Sequence, residues 1–397
     1  MNINYILFLT ARFLSLFALR VVDFAFPLAI YKITGSLSMS GAAIACDWLP
    51  RLIALPIFGA LADKYQGKNL IILADLGRAF LVVIPFFFMN KMVILICLSV
   101  LGLFSTLSQI TLESSVARFI SLKKVATAQI GLELVQNLSM ILGSLFAGIL
   151  ITYLSLESVF IVNSALFLIP IFFMLPIRMK YNFSSDSSVG PNKMGPIQAF
   201  ETIFHIPELK KVTLVGIIIS IMYGIMLATA PAMVKTVYLR SDSDFAALQL
   251  LTAFVSIAVL ILAGKLRHQF SEGILLSCGL FLTMFGMTIT AFSPTFMIYI
   301  NGYAAFFAGI LLFSIYLRFE RVRLIPKEHY GKIIGFAMIA TVTGLPFGGG
   351  LVWMIGDRLN PQTIMLLMLA ILPFLAFYIN NRKVISDQSL NMANTHL

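Results

Sequence analysis

Twelve stretches of about twenty mainly apolar residues follow one another along this chain, and that succession leaves it few ways to fold. They begin near Tyr5, Met39, Leu70, Val93, Ala126, Ser158, Val212, Phe245, Gly273, Thr295, Lys332 and Pro361. Each is long enough for a helix to cross the hydrocarbon core of a bilayer. Lipid offers backbone groups no partners, so only helices and closed barrels span it. Barrel strands are short and alternate, whereas the runs Leu81 to Phe88 and Phe160 to Leu175 do not. Residues are 59% hydrophobic and 11% charged, against about 25% charged in an ordinary soluble domain. The expected fold is therefore an all-α integral membrane protein with twelve transmembrane helices.

A net charge of +11 invites a nucleic-acid partner, but the placement of the basic residues removes that reading. Lys64 and Lys68 follow the second run, and Arg118, Lys123 and Lys124 the fourth. Arg178, Lys180, Lys193, Lys210 and Lys211 lie between the sixth and seventh, and Lys265 and Arg267 after the eighth. Arg321, Arg323 and Lys327 follow the tenth, and Arg382 and Lys383 the twelfth. The alternate loops hold few beyond Lys32, Lys91, Lys235, Arg240 and Arg358. By the positive-inside rule both termini are cytoplasmic. The first run carries Arg12, Arg20 and Asp23 and outlasts a signal peptide, so it reads as the first span. Cys46, Cys97 and Cys278 stand singly in spans, and the four histidines form no HExxH pair. Neither metal nor cofactor is expected, and an enzyme has no motif to stand on.

Hydrophobicity collapses between Arg178 and Lys211 and divides the chain in two. Within this linker, Pro196 to Phe204 reads as an amphipathic helix on the membrane surface, with Ile197, Phe200, Ile203 and Phe204 toward lipid. The halves repeat: Gly59-Ala60-Leu61-Ala62 matches Gly264-Lys265-Leu266-Arg267, and Ala117-Arg118-Phe119-Ile120 matches Val322-Arg323-Leu324-Ile325, both at an offset of 205 residues. The implied organisation is a six-helix bundle over 1–178, a cytoplasmic linker over 179–211, a second six-helix bundle over 212–379 and a tail over 380–397.

The segment from Gly59 to Lys68 reads as a tight turn between spans, with Asp63, Lys64 and Lys68 at the cytoplasmic ends. Together with Ala11-Arg12-Phe13-Leu14-Ser15, Leu49-Pro50-Arg51, Ala74-Asp75-Leu76-Gly77-Arg78 and the loop from Ile325 to Lys332, it resembles the major facilitator superfamily. Within that family the branch containing macrolide efflux proteins and enterobactin-type siderophore exporters is the most similar. Pro346-Phe347-Gly348-Gly349-Gly350 resembles the Pro-x-x-Gly-Gly patch of antiporters, and Ser144 to Gly148 echoes it without the proline. The resemblance implies a monomer in a bacterial cytoplasmic membrane that moves a small molecule by alternating access. It also implies a gate in which Asp63 pairs with Arg118 and caps a helix of the opposite half, braced by Lys64 and Lys68. The same loop also fits a purely topological turn.

Charges within the apolar runs are the candidates for energy coupling. Each costs at least about 2.5 to 3.5 kcal/mol at the bilayer centre unless paired or hydrated. Arg20 and Asp23 are spaced i,i+3, Asp47 and Arg51 i,i+4, and Asp75 and Arg78 i,i+3, which puts each pair on one helix face. Arg20 and Asp47 fall at similar depth, so pairing between the first two spans is open. A carboxylate beside an arginine can change its proton occupancy as its surroundings open or close. Asp23 is the first candidate proton carrier and Asp47 the second, with Arg20 and Arg51 as partners; static ion pairs are the other reading. Glu113 and Glu133 join Asp75 and Arg78 in a secondary charge network. Gln136, Asn137, Tyr223, Tyr299, Asn301 and Tyr303 are candidate cavity residues, set against packing or lipid contact.

The expected function is proton-coupled export of a small amphiphilic molecule, a siderophore or drug-like compound. The alternatives are proton-coupled uptake of a metal chelate or nutrient and, from another class, a non-transporting sensor or assembly partner. Substrate, protons and the lipid bilayer are the expected partners, with no nucleic acid.

Overall fold

A computed structural model describes residues 3–119, 125–177, 196–265, 272–325 and 330–370. Helices α1 (Ile3–Thr34), α2 (Leu37–Lys64), α3 (Gly67–Phe87), α4 (Lys91–Phe119), α5 (Val125–Tyr153) and α6 (Leu156–Met174) form the first bundle. A short α7 (Pro196–His205) leads into the second, made of α8 (Pro207–Ala232), α9 (Asp242–Lys265), α10 (Glu272–Phe292), α11 (Phe296–Leu324), α12 (Tyr330–Val342), α13 (Gly344–Ile355) and α14 (Pro361–Leu369). The fold is all-helical, and every expected run is helical where it is described. Among the described residues, eight stretches are by themselves long and apolar enough to cross a membrane. α2 is as long, at 28 residues, but is interrupted by its charges. The eleventh run is broken at Thr343, whose hydroxyl donates back to the carbonyls of Ile339 and Ala340 at 2.8 and 2.7 Å.

Local chemistry sets the turns. Gly35, at φ +61°, closes α1 in the left-handed conformation that glycine adopts without strain, and its N–H donates to the Tyr31 carbonyl at 2.8 Å. Ser36 then caps α2, accepting from the Met39 N–H at 3.1 Å. Ser155 and Thr295 cap α6 and α11 in the same way. α8 ends in a π-helical turn over Met233–Val237, which carries Lys235.

The internal repeat is visible in the packing. α1 packs on α5, α2 on α4 and α3 on α6; in the second bundle α8 packs on α13, α9 on α11 and α10 on α14. Contacts between bundles follow the same pseudo-symmetry, α2 meeting α13 and α5 meeting α9.

Among the described residues, hydrogen bonds and ion pairs between the bundles gather at the end holding the α1–α2 turn. Asp242 of α9 is paired with Lys32 of α1 and with Lys235 of its own bundle. The Tyr31 hydroxyl bonds that of Thr236. Asp357, beyond α13, accepts from the Ser36 hydroxyl at 2.8 Å and from the Ser38 N–H at 3.2 Å, while its own N–H donates to Ser38 Oγ at 3.0 Å. One bundle thus caps a helix N-terminus of the other, where a carboxylate is favoured by the helix dipole. Below this latch α2 and α13 cross at backbone contact: a Cβ added to Gly349 would fall 2.8 Å from the Gly41 carbonyl oxygen.

Two expectations change. α7 forms, but Ile203 is fully buried against Leu209, Ile325 and Ile333 instead of facing lipid, because α7 packs on α8 and α12. Lys68 does not turn toward Asp63's helix: it donates to the carbonyls of Leu175 and Ile177 at 2.6 and 3.0 Å, tying α3 to the C-terminal end of α6. The linker over 179–195 and the tail, with Lys123, Lys124, Arg267 and His268, lie outside the described residues, as do the side chains of Asp63, Arg118, Glu113, Glu133, Asn137 and Lys265.

If the latch holds this end shut, a protein with its three cysteines replaced, Cys introduced at the buried Ala246, and Asp242→Ala with Asp357→Ala should react several-fold faster with a bulky maleimide than the parent with Cys at Ala246. An unchanged rate would show that these contacts do not keep the bundles together.

Candidate functional site

Between the bundles, next to the closed end, lies a cavity of about 140 Å³. Phe24 of α1 and Phe245 of α9 both line it and meet edge to face, with ring centroids 6.4 Å apart. Its first wall carries Arg20, Asp23, Asp47 and Trp48 from α1 and α2. Its second carries Tyr223 from α8, Gln249 from α9, and Tyr303 and Phe307 from α11.

The two ion pairs on the first wall differ in kind. Arg51 grips both oxygens of Asp47 at 2.6 and 2.8 Å and donates from Nε to the Asp47 carbonyl at 3.1 Å. Its guanidinium also lies 4.4 Å from the Trp48 ring centroid. α4 supports this pair from behind, since a Cβ on Gly102 would fall 3.0 Å from Arg51 Nε. Arg20, by contrast, reaches only one oxygen of Asp23, at 2.8 Å. The Asp23 side chain is 35% exposed and that of Asp47 14%. Arg20 is itself backed by α5, where a Cβ on Gly143 would fall 2.8 Å from its own Cβ. Each arginine pairs within its own helix, so the direct link between α1 and α2 left open by their depth is not made. Both carboxylates nonetheless lie in the field of both guanidiniums.

The second wall is aromatic with polar edges. Tyr223 stands edge to face on Phe307 at 5.3 Å, and Phe307 packs on Tyr303 at 4.6 Å. The Tyr223 hydroxyl faces Arg20 and Asp23 across the cavity. Tyr299 continues the row, 5.9 Å from Tyr303, but is fully buried and does not line the cavity. Asn301 projects from the other side of α11, is exposed and donates to the Met297 carbonyl at 2.8 Å. Gln136 is exposed on α5 and also stands apart.

Sequence reasoning passed over Gln249, Thr252 and Ser256, which all line the cavity from α9. Their signal was present: polar residues at i, i+3 and i+7 in an otherwise apolar run mark one helix face turned from lipid. Phe24, Trp48 and Phe307 carried none, because an aromatic residue in a span serves lipid, packing and ligand alike.

Asp75 and Arg78 form a separate centre inside the first bundle. Both are 1% exposed and paired, and the Ser15 hydroxyl donates to Asp75 at 2.9 Å. Arg78 lies 5.0 Å from the Phe167 ring. The second Asp75 oxygen has no partner among the described residues and borders a void of about 10 Å³ near Arg12 and Ser108, room for about one water. Lys64 is exposed beside the Tyr65 ring, 5.6 Å from its centroid. Among the described residues no cluster of His, Cys, Asp and Glu could hold a metal ion.

The same architecture recurs in known proteins. The nucleoside transporter NupG superposes with a TM-score of 0.71 at 13% identity, over 95% of this chain and 98% of that one. A bacterial homologue of the human lysosomal transporter Spinster, inward-facing and unoccupied, gives 0.72 at 13% identity, over 94% and 95%. An inward-facing bacterial homologue of the iron transporter ferroportin gives 0.67 at 16%, over 94% and 96%. In sequence, the uncharacterized MFS-type transporter YfiS of Bacillus subtilis (strain 168) is 28% identical over 130 residues, which is 32% of this chain and 31% of the relative. The profile of the Major Facilitator Superfamily matches residues 8–319. Two pseudo-symmetric helical bundles around a shared cavity, and that match over most of the chain, place it in one family: it is a multi-pass membrane transporter of the major facilitator superfamily.

Proposed function

We propose that this transporter exports a small amphiphilic molecule, a siderophore or drug-like compound, across a bacterial cytoplasmic membrane in exchange for protons. The observation that carries the reading is Asp23: a carboxylate held by a single hydrogen bond, exposed to a cavity whose opposite wall is aromatic. A carboxylate committed to one donor can exchange that donor for a proton, whereas Asp47, gripped on both oxygens, is suited to fixing α2 and the field around Asp23. A proton crossing about 150 mV supplies roughly 3.5 kcal/mol, enough for a solute gradient of a few hundredfold.

The ends of α2, α4, α9 and α11 that lead into the segments rich in lysine and arginine lie opposite the latch, and the positive-inside rule makes that side cytoplasmic, with both chain termini. On that assignment the latch is on the outer face, and the cavity receives its solute from the cytoplasm, as an exporter requires. Lys32 and Lys235, two of the few basic residues on the outer side, are engaged with Asp242. Asp63 and Arg118 lie at the cytoplasmic end, where closing the opposite gate would bring the bundles together. The working unit in this reading is a monomer; a single chain suffices for the cavity, because each bundle supplies one of its walls.

Asp23→Asn should abolish uphill export in proteoliposomes with an imposed pH gradient while leaving downhill exchange measurable. Uphill export at the parental rate would remove Asp23 from proton coupling. The solute itself is accessible by mass spectrometry of medium and cell pellet from iron-starved strains lacking or overproducing the protein. An iron-chelating compound retained in cells without the protein identifies a siderophore exporter; identical profiles count against it and favour a broad drug pump or an importer.

A further inference from the structure

Tyr303 is fully buried and lines the cavity. Its hydroxyl interacts with the Gln249 amide, which reaches the cavity from α9, and with the Tyr223 hydroxyl. One phenol and one amide cannot satisfy all of each other's donors and acceptors, so the pair keeps hydrogen-bonding capacity deep in a bilayer-spanning protein, which is costly unless something fills the space. The neighbouring amide supplies one donor group and one acceptor at nearly the same place. The walls around them are aromatic: Phe307, packed on Tyr303, and Trp48 and Phe24 from the first bundle. At about 140 Å³ the cavity is roughly the size that accommodates one benzene-sized ring.

From these features we infer that Gln249 and Tyr303 form a specificity site for a planar aromatic ring with a hydrogen-bonding edge, of which a phenolic ring is the simplest form. The ring lies against Phe307 and Tyr223. Its hydroxyl accepts from the Tyr303 hydroxyl or the Gln249 amide and donates to the Gln249 carbonyl oxygen. Arg20 and Asp23 offset each other's charge on the facing wall, so a neutral ring meets no net charge there. Thr252 and Ser256 donate their hydroxyl protons to helix carbonyls and keep only acceptor capacity, which assigns the donating role to Gln249 and Tyr303.

The inference rests on the cavity being the transport pathway, yet it is tested by binding alone. The chain has two tryptophans, Trp48 in the cavity and Trp353 on the exposed surface. In the otherwise intact protein, Trp353→Phe leaves Trp48 as the only indole reporter. Its fluorescence is titrated with phenol and with toluene, two rings of nearly equal size. Gln249→Leu and Tyr303→Phe should each weaken phenol binding by about tenfold and leave toluene unchanged or tighter. Tyr303→Phe removes a single oxygen and guards against a misfolded Gln249 variant. Phenol affinity unchanged in both variants, or phenol and toluene weakened alike, would overturn the site. Phenol binding as expected with no solute exported would instead count against the transport reading alone.

Discussion

Hydrocarbon tolerates no unpaired charge, and the interior of this protein is organised by that intolerance. A lone ion at the bilayer centre costs at least about 2.5 to 3.5 kcal/mol, so ionisable residues in spans are paired or hydrated. Arg20 with Asp23, Arg51 with Asp47 and Arg78 with Asp75 are each joined on one helix. Their neighbours are small where they must be: Gly102 and Gly143 let α4 and α5 lie directly against the first two pairs. The three pairs nevertheless meet different fates. Asp75 and Arg78 are sealed inside one bundle, Asp47 is immobilised by two bonds, and Asp23 alone combines a loose grip with access to the cavity.

That gradation gives the two-bundle design its chemistry. The latch of Asp242 with Lys32 and Lys235, and of Asp357 on the start of α2, is made of exposed or half-buried groups that water can replace. Each such contact is individually weak, as solvated ion pairs are, so the set can be undone within a transport cycle. The other contacts between the bundles include the close glycine crossing of α2 with α13 and the Phe24–Phe245 pair, both apolar. The proposed alternating access requires this end to open again, and the pseudo-symmetry of the contacts allows a mirrored arrangement at the other end.

Much of this was legible in the residues. Helix-length apolar runs dictate helices in lipid, and the i,i+3 and i,i+4 spacings of the charges form the pairs they suggest. The 205-residue offset corresponds to a shared packing pattern. What periodicity does not encode is which helix face meets the partner bundle. Tyr303 and Asn301 are two positions apart on α11, yet one borders the cavity and the other is exposed. Ile203 looks like a lipid-facing residue until α12 is placed against it. Gln249 was passed over because a single amide in an apolar run resembles a helix-packing residue; only with Thr252 and Ser256 does it define a face.

The most direct test of the account is the distance between spin labels across the closed end, at positions 33 and 243, in membranes with and without a proton gradient. Pulsed electron resonance should resolve two populations, with the longer distance gaining weight under the gradient while labels at the opposite end approach each other. A single population at this end, unchanged by gradient or solute, would contradict alternating access around the Asp23 cavity.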